Sequence, residues 1–379
     1  MSDCLPSLKS AVPEMPRLPV RQRGMVLILV LLVVALVVGL SVKYASQFQL
    51  GMARAESRWA STQAKSLLMA AEEVAILLFP LADIDPGMDY PDEPWNNSVP
   101  LTDEGVEGIA MLLDAQAQLN LNDLGQKIDP ASLSGAPERY SESQRQFIRL
   151  LQTFQQEIPV SQSEAEAMLE AVVDWLDNDD EETGSGGAES NYYQGMPEPY
   201  LPANTFMFRS VDELRLVRGF NERPMLVELL QPYITVLPKP NLGLSINDIP
   251  PQNPYGLPGV NRLRLCINSK NQLLPLSDQQ AQTFMLSRPE TGYANENELN
   301  DAWRKTMGDE DLDVSGYRVR TEFFWLESTV QMGEQRRQMR SLMQRDNNSL
   351  IVVQRRMMYE LPRVNRGKKD NKDDSELRL

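Results

Sequence analysis

The feature that most constrains this chain is an uncharged apolar run near its amino terminus, from Met25 to Val42. At about 1.5 Å per residue, a helix of this length spans roughly 27 Å, just enough to cross the hydrocarbon core of a membrane. Lys43 follows the run, and four basic residues precede it: Lys9, Arg17, Arg21 and Arg23. Because cytoplasmic flanks of membrane helices are rich in lysine and arginine, we expect a cytoplasmic amino terminus, with the chain after Lys43 across the membrane.

The length of the run and the position of Cys4 distinguish it from two common kinds of amino-terminal signal. A cleaved secretory signal has a shorter apolar region of about 7 to 15 residues, and this run exceeds that length. A lipoprotein signal needs a cysteine just after the apolar run, whereas Cys4 lies before it. An uncleaved anchor therefore stays open, together with processing at the Arg23-Gly24-Met25 junction, where a glycine separates a basic stretch from the first apolar residue.

The helical pattern continues beyond the apolar run. Residues Tyr44 to Phe79 contain no proline, and their apolar side chains recur mostly at three- and four-residue steps. Pro80 is the first proline after the run. We therefore predict one helix from Met25 to about Phe79, roughly 80 Å long.

Composition excludes several kinds of chemistry. The chain has no histidine, so Ser-His-Asp catalysis and His-ligated zinc are not available to it. With 53 acidic and 37 basic residues its net charge is −16, which argues against a general nucleic-acid partner and favours cations. Cys266 lies among apolar residues, and we expect it to be a buried, unreactive thiol.

The Arg23-Gly24-Met25 junction resembles the leader of type IV pilin-like proteins. The resemblance implies that a prepilin peptidase cuts after Gly24, that residues 1–24 are a leader, and that the mature chain begins at Met25. The fifth mature residue of that family is usually glutamate, but here it is Leu29. In this respect the chain resembles the K-type minor pseudopilin of the type II secretion system, a class placed at the pseudopilus tip with no subunit ahead of it.

Segments farther along the chain carry the same resemblance to the general secretion pathway protein K family. They are Leu119–Leu124, Asp174–Asp177 with Gly187–Glu189, Pro199–Tyr200 with Asn204, Ser210–Arg215 with Gly219, and Tyr233–Pro238. Cys266–Ser269 resembles a degraded copy of that family's second asparagine motif.

The resemblance implies an α+β fold, in which a pilin-like fold has a long N-terminal spine helix packed on an antiparallel sheet and a large, mostly helical domain inserted into it. The expected parts are the spine helix at 25–80, with 25–42 in the membrane, the start of the pilin-like domain at 81–105, the inserted helical domain at 106–310, the C-terminal strands at 311–366 and a disordered tail at 367–379.

Local patterns predict helices in the middle of the chain without reference to any family. Two sets of apolar residues each share a helical face: Phe147, Leu150, Leu151, Phe154 and Ile158, and Ala165, Met168, Leu169, Val172 and Leu176. Ser161-x-x-Glu164 and Ser210-x-x-Glu213 are capping-box patterns that predict helix starts.

The pattern changes to period two after about residue 315. Alternation from Tyr317 to Leu326 predicts a strand. Gln335–Gln344 and Leu350–Met358, separated by Asp346–Asn348, predict a hairpin. We expect these strands to form an antiparallel meander against the spine helix. The polar tail from Gly367 has too little apolar surface to fold.

An acidic loop is the one candidate for a bound ion. Six acids precede the glycine-rich stretch 184–187: Asp174, Asp177, Asp179, Asp180, Glu181 and Glu182. Calcium takes six to eight oxygen ligands, but the spacing is not that of an EF-hand, because Glu182 and Ala188 occupy the positions of its glycine and final glutamate. From the residues alone, a solvated loop and a calcium site both stay open. The resemblance implies calcium in the inserted domain, with Asp177, Asp179, Glu189 and Asn191 as its ligands.

The expected function is that of a non-enzymatic minor pseudopilin at the pseudopilus tip, anchored in the inner membrane with its bulk in the periplasm, for export of folded proteins across the outer membrane. Its expected partners are the I- and J-type minor pseudopilins, the major pseudopilin and the prepilin peptidase. Two alternatives stay open: a single-pass periplasmic adaptor and a calcium-dependent envelope enzyme. Neither alternative needs processing after Gly24.

Overall fold

The computed structural model describes residues 20–82, 84–85, 87–103, 106–128, 136–202, 204–254, 258–308, 310–332 and 335–358. Most of the expected leader and the whole of the expected tail lie outside these residues. The chain divides into two compact units, one up to Gln63 and the other from Ala64 onward.

The first helix, α1, runs from Val20 to Leu78, which confirms the predicted long helix. A 3₁₀ turn at Phe79–Leu81 follows it, because Pro80 has no amide proton and its ring disfavours a further helical turn. The helices of the remaining chain are α2 (Glu142–Gln152), α3 (Gln162–Leu176), α4 (Ser190–Gln194), α5 (Pro224–Leu230), α6 (Arg262–Leu265), α7 (Asp278–Leu286) and α8 (Glu296–Met307).

The unit up to Gln63 contains the apolar run as part of α1. Its most apolar eighteen-residue window has a mean hydropathy of 3.3, and none of that window is buried. Among the described residues, α1 is the helix with the length and composition to cross a membrane. The run is therefore compatible with a single-pass anchor.

The unit from Ala64 onward contains a five-stranded antiparallel sheet with the strand order β1-β2-β7-β8-β9. Its strands are β1 (Val99–Asp103), β2 (Val106–Asp114), β7 (Phe323–Met332), β8 (Gln335–Asp346) and β9 (Ser349–Met358). Two short parallel pairs lie outside this sheet: β3 (Leu119–Asn120) with β4 (Ile234–Thr235), and β5 (Leu244–Ser245) with β6 (Tyr317–Arg318).

The last turns of α1 pack on one face of the sheet. Leu68 joins Val330 in one buried cluster, and Ala71 joins Phe324 and Met343 in the next. Burying such side chains contributes about 1.5 to 3 kcal/mol for each large one. The predicted class, an α+β fold with a long N-terminal helix on an antiparallel sheet and many further helices, is confirmed.

Strands lie at or close to both ends of the predicted inserted domain, 106–310. Residues 106–114 form β2, in which buried residues alternate with half-buried or exposed ones, and this strand pairs with β7. At the other end, β6 pairs with β5, and Tyr317 belongs to the core of the helical region. Because β2 and β7 are neighbours in the sheet, the inserted segment comprises residues 115–322.

The single strand predicted from Tyr317 to Leu326 is two strands. β6 ends at Arg318, and β7 begins only at Phe323. The first half of β7 is buried on both faces, because Phe324 faces the α1 cluster whereas Phe323 packs with Leu237 from the inserted segment. The alternation in the sequence therefore indicates an extended strand, but it does not show that only one face of the strand is buried.

The predicted hairpin is confirmed as β8 and β9. Asp346 pairs with Ser349 across a two-residue turn, and Asn347 in that turn has φ of 54°. Asparagine tolerates this left-handed conformation better than most residues do, so it suits a tight hairpin turn. The capping boxes at Ser161 and Ser210 are also confirmed.

The inserted segment contains two related turns, which we call the first motif (Leu119–Leu124) and the second motif (Leu244–Ile249). Their sequences, LNLNDL and LSINDI, both begin with a two-residue strand of a parallel pair. The motifs therefore start from equivalent backbone positions.

The asparagine at the fourth position of each motif makes equivalent hydrogen bonds. Asn122 accepts a hydrogen bond from the Phe208 backbone amide at 2.6 Å and donates to the Phe208 carbonyl at 3.2 Å. Asn247 bridges the Tyr293 backbone amide and carbonyl in the same way, at 2.9 and 3.0 Å. A buried amide that satisfies both backbone groups fixes a distant segment against its motif.

Leu244–Ile249 is thus a structural counterpart of the first motif, whereas Cys266–Ser269, which resembles a degraded second asparagine motif, makes different contacts. Asn268 makes local contacts, including a hydrogen bond to the Leu274 carbonyl at 2.8 Å. Cys266 is a buried free thiol, as expected, and burial raises its pKa to about 12.

Candidate metal centre

Helix α3 positions two of the acids. Its capping box starts the helix, and its apolar face is buried in the core of the inserted segment. Asp174 lies in the last turn and Asp177 is the C-terminal capping residue. Residues three apart are neighbours on a helix surface, so both carboxylates project from the same end of α3.

The glycine-rich stretch 184–187 folds back closely on α3. Gly184 has φ of 64°, a conformation that favours glycine. A Cβ atom on Gly187 would lie 2.3 Å from Oδ2 of Asp174, so only glycine fits there. The backbone amides of Thr183 and Ala188 donate to Asp174 at 3.1 and 2.7 Å, which fastens both ends of the turn to the helix.

The returning chain brings a third acid to the end of α3. Asp174, Asp177 and Glu189 each offer a carboxylate oxygen, and these oxygens lie within 4.8 Å of one another. Glu189 is only 1% exposed. Both of its carboxylate oxygens, and Oδ1 of Asp177, are buried without a hydrogen-bond partner among the described residues.

The electrostatics of this cluster are unfavourable for three free carboxylates. Burial, together with the charges of Asp174 and Asp177, raises the pKa of Glu189 to about 8. Burial and the neighbouring charges of Asp179 and Asp174 raise the pKa of Asp177 to about 6. The cluster also lies at the C-terminal end of α3, where the helix dipole adds negative potential.

These residues fit a hard divalent cation. The donor set consists of carboxylate oxygens alone, which is the chemistry that calcium and magnesium prefer. An ion would satisfy the orphaned oxygens of Asp177 and Glu189 and remove the repulsion between the charges. The backbone hydrogen bonds of Thr183 and Ala188 to Asp174 hold this turn beside α3 and bring Glu189 near the other two acids.

The four predicted ligands are not brought together as a set. Asp177 and Glu189 meet, whereas the Asp179 carboxylate forms an exposed ion pair with Lys127 at 2.8 Å, and Asn191 is exposed in α4. The structure adds Asp174, which the sequence analysis included in the acidic loop but not among the ligands. The helical spacing of Asp174 and Asp177 is the signal that identifies it.

The predicted processing site lies in the other unit. Gly24 and Met25 are exposed within α1, and a Cβ atom on Gly24 would have no heavy atom within 4 Å. Leu29, the fifth residue after that glycine, is 64% exposed.

Comparison with known proteins places the chain in a family. The model of "Type II secretion system (T2SS), protein K" matches residues 117–239. A type II secretion system protein K from Aeromonas hydrophila is 28% identical over 347 residues, covering 89% of this chain and 97% of the relative. The protein of that name from Klebsiella pneumoniae is 30% identical over 349 residues, covering 89% and 96%.

A solved structure has the same fold. A chain in the crystal structure of the GspK-GspI-GspJ complex from the enterotoxigenic Escherichia coli type 2 secretion system matches with a TM-score of 0.62 and 20% identity, covering 81% of this chain and all of that one. The similarity at 30% identity over nearly the full length of the Klebsiella protein shows that this chain belongs to the type II secretion system protein K family.

Proposed function

We propose that this chain is a minor pseudopilin at the tip of a type II secretion pseudopilus, a non-enzymatic component for export of folded proteins across the outer membrane. The observation that carries the proposal is the relationship to protein K over 89% of the chain. The exposed apolar part of α1 supports it, because such a helix can lie in the membrane as a monomer and pack among similar helices in a filament.

The proposed topology places the amino terminus in the cytoplasm and the unit from Ala64 onward in the periplasm, with a prepilin peptidase cutting after Gly24. The basic residues before the apolar run support this orientation. Exposure of Gly24 supports access by the peptidase.

Amino-terminal sequencing of the protein from membranes tests the proposed function. We expect the mature chain to begin at Met25, and Gly24→Val to block processing. Gly51→Val is the matched control, because Gly51 is in the same helix and also has open space around it. A mature protein that retains residues 20–24 would contradict the pilin pathway and favour a single-pass adaptor.

The proposed partners are the I- and J-type minor pseudopilins, with the major pseudopilin below them. The related structure is titled as a complex of GspK with GspI and GspJ, which supports the first two. Phe48 and Trp59 on α1 are 70% and 68% exposed and are candidate contacts. An apolar Leu29 in place of the usual glutamate suits a subunit with no neighbour above it, since a charge there would need a partner.

Co-expression of the full-length proteins tests these contacts. We expect the I and J subunits to co-purify with this chain in detergent, and Phe48→Ala with Trp59→Ala to reduce their recovery. Glu56→Ala, an exposed change between those two positions, is the control. Unchanged recovery with the double variant would rule out this part of α1 as the contact.

We also propose that calcium binds at Asp174, Asp177 and Glu189. Binding to the folded state alone should stabilise it by about 2.7 kcal/mol at a hundredfold excess over the Kd. In the full-length protein we expect calcium to raise the Tm relative to chelator, and Glu189→Gln to abolish that rise.

Asp179→Asn is the matched control for calcium binding, because Asp179 is in the same loop but is bound to Lys127. We expect this variant to keep most of the calcium effect. Equal Tm values in calcium and chelator for the unmodified protein would identify the cluster as a solvated acidic loop.

A further inference from the structure

The glycine-rich turn at 184–187 is bonded to α3 through a backbone amide and to Arg218 through its carbonyls. The Gly186 amide donates to Glu170 of α3 at 2.7 Å. The Gly186 and Gly187 carbonyls accept hydrogen bonds from Nη1 of Arg218, at 3.4 and 2.7 Å. Donor and acceptor groups of the turn are therefore both satisfied, and Arg218 satisfies the acceptors.

Arg218 contacts the chain before and after Glu189. Gly187, whose carbonyl it binds, lies two residues before that glutamate. Tyr192 lies three residues after it, and the guanidinium carbon of Arg218 is 5.1 Å from the centroid of the Tyr192 ring. The Arg218 backbone amide also donates to the hydroxyl of the next residue, Tyr193, at 3.3 Å. One arginine therefore fixes the backbone on both sides of the acid.

The Glu189 side chain has no such contacts of its own. Both of its carboxylate oxygens are buried without a hydrogen-bond partner among the described residues. Glu189 is also the residue that precedes α4, and its side chain makes no capping hydrogen bond to that helix. A flexible side chain without partners is directed by the backbone that carries it. The position of its carboxylate therefore depends on the residues that fix this backbone.

Arg218 is itself held firmly by the segment that carries it. Val217 and Phe220, close to it on either side, are fully buried in the core of the inserted segment. Gly219 has φ of 84°, and a Cβ atom there would lie 2.9 Å from Cγ of Met168 in α3. The arginine therefore projects from a backbone that is packed against the same helix as the acids, which suits a residue that positions another.

The charge of Arg218 is not used to pair the acids. Among the described residues, its side-chain hydrogen bonds go to backbone carbonyls, and no ion pair joins it to Asp174, Asp177 or Glu189. An arginine bonded to those carboxylates would take the place of a metal ion. A positive charge near the cluster, taken alone, opposes the binding of a second cation.

We propose that Arg218 is a positioning residue for the calcium site: by fixing the chain before and after Glu189, it holds that carboxylate beside Asp174 and Asp177 and so raises the affinity for calcium. This inference rests on the proposed calcium site. It assigns to an arginine, the side chain that charge alone would place away from a cation, a favourable effect on cation binding.

The sign of the effect separates positioning from electrostatics. Removing the Arg218 guanidinium removes a positive charge, and by charge alone the affinity for calcium should rise. Loss of positioning should lower it, since removing an outer contact that orients a metal ligand commonly costs 10- to 100-fold in affinity. We expect positioning to dominate, and Arg218→Met to weaken calcium binding by about tenfold.

Calorimetric titration of the full-length protein in detergent tests this, at one pH and at a temperature well below the Tm of each variant in chelator. Arg218→Lys keeps the charge and one donor for the Gly187 carbonyl, so its affinity should lie between those of Arg218→Met and the unmodified protein. This variant also tests the proposal if Arg218→Met does not fold.

Arg215→Met is the matched control. It removes the same charge three residues earlier, from a side chain that pairs with Asp212 and Glu228 and not with the glycine-rich turn. The affinity for calcium should change by less than about twofold, because exposed charges interact weakly.

A spectroscopic measurement reports directly on the ligands. Terbium prefers oxygen ligands as calcium does, and Trp175, next to Asp174 in α3, can sensitise its emission. Emission lifetimes in ordinary and heavy water give the number of water molecules on the bound ion. We expect more of them in Arg218→Met than in the unmodified protein, because a displaced Glu189 carboxylate leaves its place to water. Arg215→Met should give the unmodified number.

The outcomes distinguish this proposal from the site on which it rests. An unmodified protein that bound neither calcium nor terbium would remove the calcium site and this proposal with it. Calcium binding by the unmodified protein with equal or tighter binding by both Arg218 variants would overturn the role of Arg218 alone. A lower Tm in chelator with unchanged affinity and unchanged water number would also overturn it, because that result identifies a merely structural contact.

Discussion

The acidic loop and the site of Asp89 both hold buried carboxylates, and these are stabilised differently. In the loop, Asp177 and Glu189 have buried oxygens without partners, and no arginine or lysine bonds to either of them among the described residues. Asp89, by contrast, accepts hydrogen bonds from Arg345 at both of its carboxylate oxygens.

The presence or absence of a cationic partner determines what each site can bind. Three carboxylates that converge without a cationic side chain leave room for a metal ion. A carboxylate whose charge an arginine already matches, as at Asp89, leaves no need for an ion. A high density of acidic residues therefore does not by itself predict a metal site, and the number of nearby cations decides between the two outcomes.

The largest expected effect comes from removing the arginine that binds the buried Asp89. Arg345→Met leaves Asp89 buried and charged without its partner, and the free energy of unfolding should fall by about 3 to 5 kcal/mol. Urea unfolding measures this. Lys239→Met, which breaks the more exposed pair with Glu322, should have a far smaller effect. Similar losses for both variants would contradict the distinction between buried and exposed pairs.

The next largest effect is expected at the turn that brings Glu189 beside Asp174 and Asp177. A Cβ atom at Gly187 would overlap Asp174 and the backbone of Thr183, so Gly187→Ala should lower the free energy of unfolding by about 1 to 3 kcal/mol and remove the calcium response. The change in Tm upon adding calcium measures the second outcome.

Gly195→Ala is the matched control for that variant. The nearest atom to its added Cβ lies at 3.4 Å, an ordinary contact, and its backbone is right-handed. If both variants kept the calcium response, the close return of the chain on α3 would not be what forms the cluster.

A third prediction concerns the pH dependence of calcium affinity at the acidic loop. Protons compete with calcium at the loop because the pKa of Glu189 is raised to about 8 and that of Asp177 to about 6. Calcium affinity should therefore rise between pH 6 and pH 8, by about tenfold or more. Stability without calcium should fall over the same range. Calorimetric titration at both pH values measures the affinity, and an affinity independent of pH would contradict these protonation states.

The smallest effect is expected at the edge of the loop. Lys127→Ala removes the exposed partner of Asp179, and calcium affinity should change by less than about twofold, because screened surface charges interact weakly. A large change would return Asp179 to the set of ligands and would restore the ligand set that the sequence suggests.

Sequence patterns predicted those elements whose signal is local. The proline after α1, the serine caps and the asparagine turn between β8 and β9 each act within a few residues, and all were identified. The ends of the inserted segment depend instead on contacts that are distant in the sequence, because β2 is identified by its pairing with β7. Alternation at Tyr317 likewise could not reveal that β6 pairs with β5 and not with the sheet.

The sequence predicted Asp177 and Glu189 of the candidate metal site but not Asp174, because the contacts between these acids also depend on the fold. The sequence shows which acids are close along the chain, and so it includes Asp179 as readily as Asp174. Only the fold shows that Lys127 already binds the first and that the loop returns beside the second. The pairing of Asp89 with Arg345 was missed altogether, since no sequence pattern links two residues so far apart in the chain.

The insertion between β2 and β7 has a consequence for the order of folding. Asp114 pairs with Phe324 in adjacent strands, so the ends of a segment of about two hundred residues must come within one strand spacing, about 4.8 Å. A disordered segment would oppose this through loop-closure entropy and slow the search for the pairing. A segment that has already folded, with Ala115 and Leu237 packed in one cluster, holds its first residue near the site of β7. The central pair of the sheet should thus form late, after the segment it encloses.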